Sequence, residues 1–396
     1  MTAEPALGER IQYDPFSQEM LDDPYPTFRA MLERAPVLRN DKRGFWTLCR
    51  FTDVQAAARD WKVFSSDEGV DLDFMGKLMC GPGDFLDYDP PRHGQLRDII
   101  KRRFTPKAFE QLTPTIQAIV DELVDAIVER GSGDIVTDLA APTPMRVVTA
   151  LLGFPKADLP MLSDLQAKSI TRVAGDLRLP KVALDATAEL REYFADAAEM
   201  RRRKPTDDVI TDMVTEKAGD RYLTEAEVVG MCFLLWIAGF DTTRGLIANG
   251  IQLLDEYPEQ RAVIAREPDR MREAVEELLR FESPVQNAAR TTSTEVTMHG
   301  VTIPAGARVA LLFGAANRDP RRWEKPGTLD FTRKPKRHLA FGEGIHHCLG
   351  APLARLEGRI ALRTFLDRVP EYEVEYPLER IPSQNLRLFT HLNVTF

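Results

Sequence analysis

Strong charge of one sign, paired cysteines and long apolar runs are all missing from this chain, and each absence removes a class of function. Of its 396 residues, 52 are Lys or Arg and 61 are Asp or Glu, a formal net charge of -9. That acidic balance argues against general binding to nucleic acid or to an anionic membrane surface, and leaves basic character only to local patches. Cys49, Cys80, Cys232 and Cys348 show no C-x-x-C spacing, so neither a disulfide framework nor a zinc ribbon is indicated. The longest apolar run, Val228 to Phe240, is too short to span a bilayer and suits a buried helix. Met1-Thr2-Ala3-Glu4-Pro5 has no charged region followed by an apolar one, so a secretion signal is not expected and a cytoplasmic location is. No repeat or low-complexity segment points to a solenoid or a linker array.

What remains is an ordinary globular composition, 43% hydrophobic and 29% charged. At roughly 150 residues per domain the length suggests two or three domains, although single large domains of this size exist. Apolar residues at steps of three and four predict a helix from Ala108 to Arg130, stopped by Gly131. A second, longer helix starts at Thr224, where Glu227 completes a T-x-x-E capping box, and runs towards Tyr257-Pro258, a length of ~45 Å or more at about 1.5 Å per residue. Strands are predicted at Phe45 to Phe51, and in a pair around Val296 to Ile303 and Arg308 to Phe313. The fold class is mainly α with a small β region.

Residues 341 to 350 read F-G-E-G-I-H-H-C-L-G and set a cysteine before a helix whose first turn holds Pro352. Free N–H groups and the positive end of a helix dipole favour a thiolate there, and the glycines allow close approach to a flat partner. A zinc site is disfavoured, because His346, His347 and Cys348 are consecutive and their side chains diverge. Neither phosphate-binding glycine pattern is present. Taken alone, an unpaired cysteine is more often a buried small hydrophobe.

The longer pattern Phe341-Gly342-x-Gly344-x-His346-x-Cys348-Leu349-Gly350-x-x-Leu353-Ala354-Arg355 resembles, position for position, the haem-binding loop of the cytochrome P450 haem-thiolate monooxygenases. The resemblance implies that Cys348 is the axial iron ligand, that His346 bonds a haem propionate, and that Phe341, Gly342 and Gly350 shape the cofactor-binding loop. His347 falls at a variable position and reads as a solvated bystander. Asp89-Pro90-Pro91-Arg92-His93-Gly94-Gln95-Leu96-Arg97 puts His93 and Arg97 on one helix face and resembles the family's propionate helix. Arg290 resembles a further propionate partner. Any one of these cations alone would read as a surface ion-pair member.

Two more stretches carry the resemblance. Glu277 and Arg280 stand one helical turn apart in E-x-x-R, and Arg333 resembles the third member of that structural network. Ala238-Gly239-Phe240-Asp241-Thr242-Thr243 puts an acid and two hydroxyls in a buried apolar helix, where they are poor helix formers. It resembles the family's oxygen-binding groove, with Ala238 towards the cofactor and Asp241 and Thr242 as the proton-delivery pair; the plainer reading is a helix kink with Asp241 paired to Arg244.

The implied protein is a single haem domain, 1–396, with the cytochrome P450 fold, haem b and no fused reductase. It would insert one oxygen atom of O2 into a small, mostly apolar organic substrate, using electrons from a ferredoxin and an NAD(P)H-dependent ferredoxin reductase. Lys101, Arg102, Arg103, Lys334, Lys336 and Arg337 are candidates for a docking patch, or ordinary solvated charge. A peroxide-driven haem-thiolate enzyme and a non-catalytic sensor or carrier are the alternatives; the Asp241-Thr242 pair counts against the first. The substrate pocket is expected from residues 64–88, 167–184, 235–238, 285–289 and 386–391, with Phe74, Met75, Met79 and Phe389 beside Asp71, Asp73, Gln286 and Asn287.

Overall fold

The computed structural model describes residues 11–72, 81–171 and 179–396. Its centre is the helix Glu225–Glu256, 32 residues and so about 48 Å long. The capping box forms as its sequence requires: the Glu227 N–H donates to Thr224 Oγ1 at 3.3 Å and the Thr224 N–H donates back to Glu227 Oε2 at 2.9 Å. The helix stops at Tyr257 because Pro258 disfavours helical geometry in the residue before it. This helix is long and apolar enough to cross a membrane, yet 72% of its most apolar window is buried in the protein. It is therefore the core helix around which the largest apolar cluster collects.

Close packing on it depends on small residues. A Cβ at Gly239 would lie 2.6 Å from Val148 Cγ2, and one at Gly358 would lie 2.6 Å from Leu246 Cδ2. Glycine at these places lets the helices Pro142–Leu151 and Ala351–Arg368 approach the long helix more closely than a side chain would allow.

The β region is a five-stranded sheet in the order Val37–Asn40, Phe45–Leu48, Arg308–Leu312, Asn287–Thr292, Phe64–Ser65. Only the pairing of Phe45–Leu48 with Arg308–Leu312 is parallel. A second sheet orders Glu373–Val374, Asn393–Thr395 and Ser132–Asp134, which fixes the C-terminus to the helical part.

Three expected boundaries move. The segment 108–130 is two helices, Pro106–Glu110 and Thr113–Arg130. Pro114 lacks an N–H and its ring would meet the carbonyl of Glu110, which breaks the run although the apolar periodicity continues across it. The strand expected to reach Phe51 ends at Leu48, and Phe51 opens the helix Phe51–Arg59. Residues 296–303 form a separate hairpin turning at His299 and Gly300, both with positive φ, outside the five-stranded sheet.

Candidate active site

The loop 341–350 is held from inside and from two sides. The Cys348 N–H donates to the Phe341 carbonyl at 2.9 Å. Gly344 has φ +71°, and a Cβ there would stand 2.4 Å from the Ala58 carbonyl oxygen, so glycine is required both for angle and for space. From the helix Arg92–Ile100, Arg97 donates to the carbonyls of Ile345 at 3.1 Å and His347 at 2.6 Å. The helix Ala351–Arg368 begins directly after the loop with Pro352 in its first turn.

Cys348 lies deep in the protein while its exposed surface opens on a cavity of about 660 Å³. Burial pushes its thiol up, and the N–H groups of Gly350 and Ala351 with the charges of Arg97 and Arg355 pull the other way. Ala238, Asp241 and Thr242 line the same cavity, as do Phe341, Gly342 and Gly350.

Four basic side chains collect at this site. The rings of His93 and His346 meet edge to face, with centroids 4.5 Å apart. Burial and Arg97 lower His93 to about 4, and burial, Arg290 and His93 push His346 well down. Arg290 is buried, its guanidinium donates to the neighbouring Ala289 carbonyl at 2.7 Å, and desolvation lowers it to about 10. Ser66 Oγ sits 3.1 Å from His346 Nε2, while His93 Nε2 and His346 Nδ1 are buried without a hydrogen-bond partner among the described residues. Among the described residues none of His93, Arg97, Arg290 and His346 forms a salt bridge with a carboxylate. Arg290 is buried and Arg97 half-buried, neither in a salt bridge among the described residues, and the neutral imidazoles of His93 and His346 keep open ring nitrogens beside them, so this end of the cavity suits a ligand that brings its own anions. A flat macrocycle carrying two carboxylates, with a metal open to one thiolate, fits that donor set.

Asp241 is buried and Thr242 faces the cavity. The helix is continuous through both, with the Thr242 hydroxyl donating to the Ala238 carbonyl at 2.9 Å. Asp241 Oδ1 lies 3.8 Å from Arg244, the pairing expected for a structural role. Gln166 Nε2 lies 3.5 Å from Asp241 Oδ2, and its carbonyl accepts the Trp236 indole N–H at 2.7 Å. Because that N–H can only donate, the amide nitrogen must face the acid. Nothing local in the sequence announces Gln166.

Glu277, Arg280 and Arg333 come together away from the cavity. Arg280 donates to both Glu277 oxygens at 2.7 and 2.6 Å, and Arg333 Nε donates to Glu277 at 3.1 Å. Arg280 is 1% exposed and spends its other N–H groups on the carbonyls of Asn317, Pro326 and Thr328.

Other expectations change. Asp71 and Asn287 line the cavity, but Gln286 donates to the Ser283 carbonyl instead, and Phe389 is buried in the C-terminal turn with its carbonyl accepting from Arg244. Asp73, Phe74, Met75 and Met79 lie outside the described residues. His347 is half-buried rather than solvated. Arg102 and Arg103 are not free charge, because both are bound to Asp212, with Glu216 and Asp207 adding to the pairing. Glu357, which sequence reading passed over, lines the cavity at 1% exposure, its Oε2 has no hydrogen-bond partner among the described residues, and burial pushes its carboxyl up to about 8.

A helix-rich fold presenting one cysteine to an internal cavity, with two arginines and two histidines that form no carboxylate salt bridge among the described residues, defines a haem-thiolate protein. The family model "Cytochrome P450" matches residues 178–392. Cytochrome P450 130 of Mycobacterium tuberculosis is 37% identical over 367 residues, 90% of each chain. The vitamin D(3) 25-hydroxylase of Pseudonocardia autotrophica is 37% identical over 383 residues, 93% of this chain and 92% of the relative. Among solved structures, cytochrome P450 PksS of the Bacillus subtilis 168 bacillaene polyketide synthase superposes with a TM-score of 0.88 at 31% identity, over 97% of this chain and 99% of that one. This chain belongs to the cytochrome P450 family. It is a monooxygenase that binds haem b and acts with O2, an organic substrate and redox partners.

Proposed function

We propose that Cys348 is the axial ligand and that His93, Arg97, Arg290 and His346 share the two haem propionates, with Phe341, Gly342, Gly350 and Ala238 shaping the surfaces against the macrocycle. The single observation that carries this reading is that Arg97, Arg290 and His346 line the cavity that Cys348 also enters, with His93 against the His346 ring, all four free of carboxylate salt bridges among the described residues. When bound, thiolate-ligated haem supplies the reductive activation of dioxygen, and the sulfur's electron density favours O–O cleavage. The chain's own part would be to orient the macrocycle through charge, to present the Cys348 thiolate to its metal, and to bring protons to the cavity through Asp241 and Thr242.

Protons reach the cavity through Asp241 and Thr242. The Thr242 hydroxyl, donating now to the Ala238 carbonyl, is the group at the cavity surface, and Asp241 is the acid behind it. Glu277, Arg280 and Arg333 hold the structure around the loop. The whole of 1–396 is one haem domain acting in the cytoplasm. Electrons come from a separate ferredoxin and an NAD(P)H-dependent ferredoxin reductase. Exposed Lys334 and Lys336 are better placed for that docking than Arg102 and Arg103, whose charge Asp212 already offsets. A mostly apolar wall that includes Val285, Ala288 and Leu388, with Asp71 and Asn287 as polar points, suits a medium-sized apolar substrate with a few polar groups.

The test is Cys348→Ser. Loss of the red-shifted Soret band in the reduced carbon monoxide complex supports the ligand assignment, and retention of that band refutes it. Substrate-dependent NAD(P)H consumption with a ferredoxin system separates the monooxygenase from a peroxide-driven enzyme and from a sensor.

A further inference from the structure

Glu276 precedes Glu277 on the helix Met271–Phe281 but joins a different set of side chains. Its carboxylate accepts hydrogen bonds from Arg355 Nε at 2.5 Å and Nη2 at 3.0 Å, and lies 3.2 Å from His338 Nε2. Arg355 is on the helix that follows the cysteine, and its guanidinium stands 4.4 Å from the centroid of the Phe341 ring. The His338 ring centroid is 5.9 Å from the same phenyl. Phe341 in turn gives its carbonyl to the Cys348 N–H and lines the cavity. One acid therefore holds two basic side chains against the phenyl that braces the sulfur.

The charge balance of this group bears on the sulfur. Burial pushes Glu276 up, but the bonds to His338 and Arg355 outweigh it and hold the acid at about 2, so it stays ionised at any working pH. Arg355 is one of the cations whose field reaches the Cys348 sulfur. With Glu276 in place the guanidinium is paired and fixed; without it the positive charge stands alone beside the loop. A cation near the metal favours the form carrying one more electron, and pairing it weakens that preference.

We propose that Glu276 is a positioning residue that sets the reduction potential of the haem, by neutralising Arg355 and fixing it on the Phe341 ring. This rests on the assignment of Cys348 as ligand. The step concerned is the transfer of one electron to the ferric protein, with no proton moved by Glu276 itself.

The test is the midpoint potential of the haem-loaded protein, measured by spectroelectrochemical titration with small mediators and no protein partner. Glu276→Gln, which keeps the shape and removes the charge, shifts the potential upward by on the order of a tenfold change in the reduction equilibrium, 59 mV for one electron. Arg355→Gln shifts it downward, Glu276→Asp stays near the wild type, and the double replacement falls between the two single ones. Shifts of the same sign for Glu276→Gln and Arg355→Gln, as general damage to the loop produces, overturn the proposal, and so does an unchanged potential in both. Should Glu276→Gln take up no haem, Arg355→Gln and Glu276→Asp decide: a downward shift in the first with none in the second supports it, and any other pair of results overturns it. A wild-type protein without the red-shifted carbon monoxide band refutes the ligand assignment and this inference together, whereas a normal band with invariant potentials refutes this inference alone.

Discussion

Replacing Glu357 by Gln should make the protein more stable, and by an amount that grows with pH. The side chain is 1% exposed, lines the cavity and leaves Oε2 without a hydrogen-bond partner among the described residues, so burial disfavours its ionised form and its pKa rises from 4.5 to about 8. The folded-state value lies above the unfolded one, so the stability linked to the bound proton is complete below about pH 4.5 and is lost as pH rises towards 8. One unit of pKa difference is worth about 1.36 kcal/mol, and between pH 5 and pH 8 the native state should lose roughly 3–4 kcal/mol through this one group. Glutamine has nearly the same shape and no charge to neutralise, and its stability should lack that slope. Urea unfolding of the haem-loaded protein at pH 5 and pH 8 reads the difference directly: the variant and the wild type nearly coincide at pH 5 and separate at pH 8. Equal separation at both values would mean that Glu357 is ionised or bonded in the native state, and the reasoning would fail.

Two further outcomes follow from named contacts. Glu277→Ala or Arg280→Ala strands buried charge at a cost of ~3–5 kcal/mol, and either variant should yield little haem-loaded protein; normal haem content in both would refute the network's structural role. Acid should destabilise the protein between about pH 4.5 and pH 2, because burial pushes Glu282 up but Arg387, Arg380, Arg318 and the Tyr25 hydroxyl at 2.6 Å hold it at about 2, and protonation on the way down loses those bonds. Tyr25→Phe removes one donor and should move the acid-unfolding midpoint to higher pH; a midpoint at the same pH would count against Glu282 as the controlling group.

The sequence disclosed what is written in short, regular spacings. Thr224 with Glu227 and Glu277 with Arg280 are contacts three residues apart, and His93 and Arg97 share one helix face four residues apart, all set by helix geometry. The loop around Cys348 was legible because its glycines and proline constrain one stretch of backbone. What stayed hidden are pairings made across the fold. Arg102 and Arg103 looked like free charge until Asp212, over a hundred positions away, was brought beside them. Glu276 with Arg355, and Trp236 with Gln166, are likewise products of packing, with no periodicity to give them away. Helix ends moved where a proline overruled an apolar pattern, as at Pro114.

Arg97 reaches two carbonyls of the cysteine loop while standing on the cavity that the macrocycle enters. If Arg97 takes a haem propionate as proposed, a single cation would belong at once to the cofactor's acid end and to the backbone that carries Cys348. Insertion of haem and settling of the loop would then be parts of one cooperative event, because a carboxylate drawn to the guanidinium would act on the same group that holds the segment presenting the sulfur. The thermodynamic consequence is reciprocal: whatever loosens that segment weakens retention of the porphyrin, even if the sulfur itself is untouched.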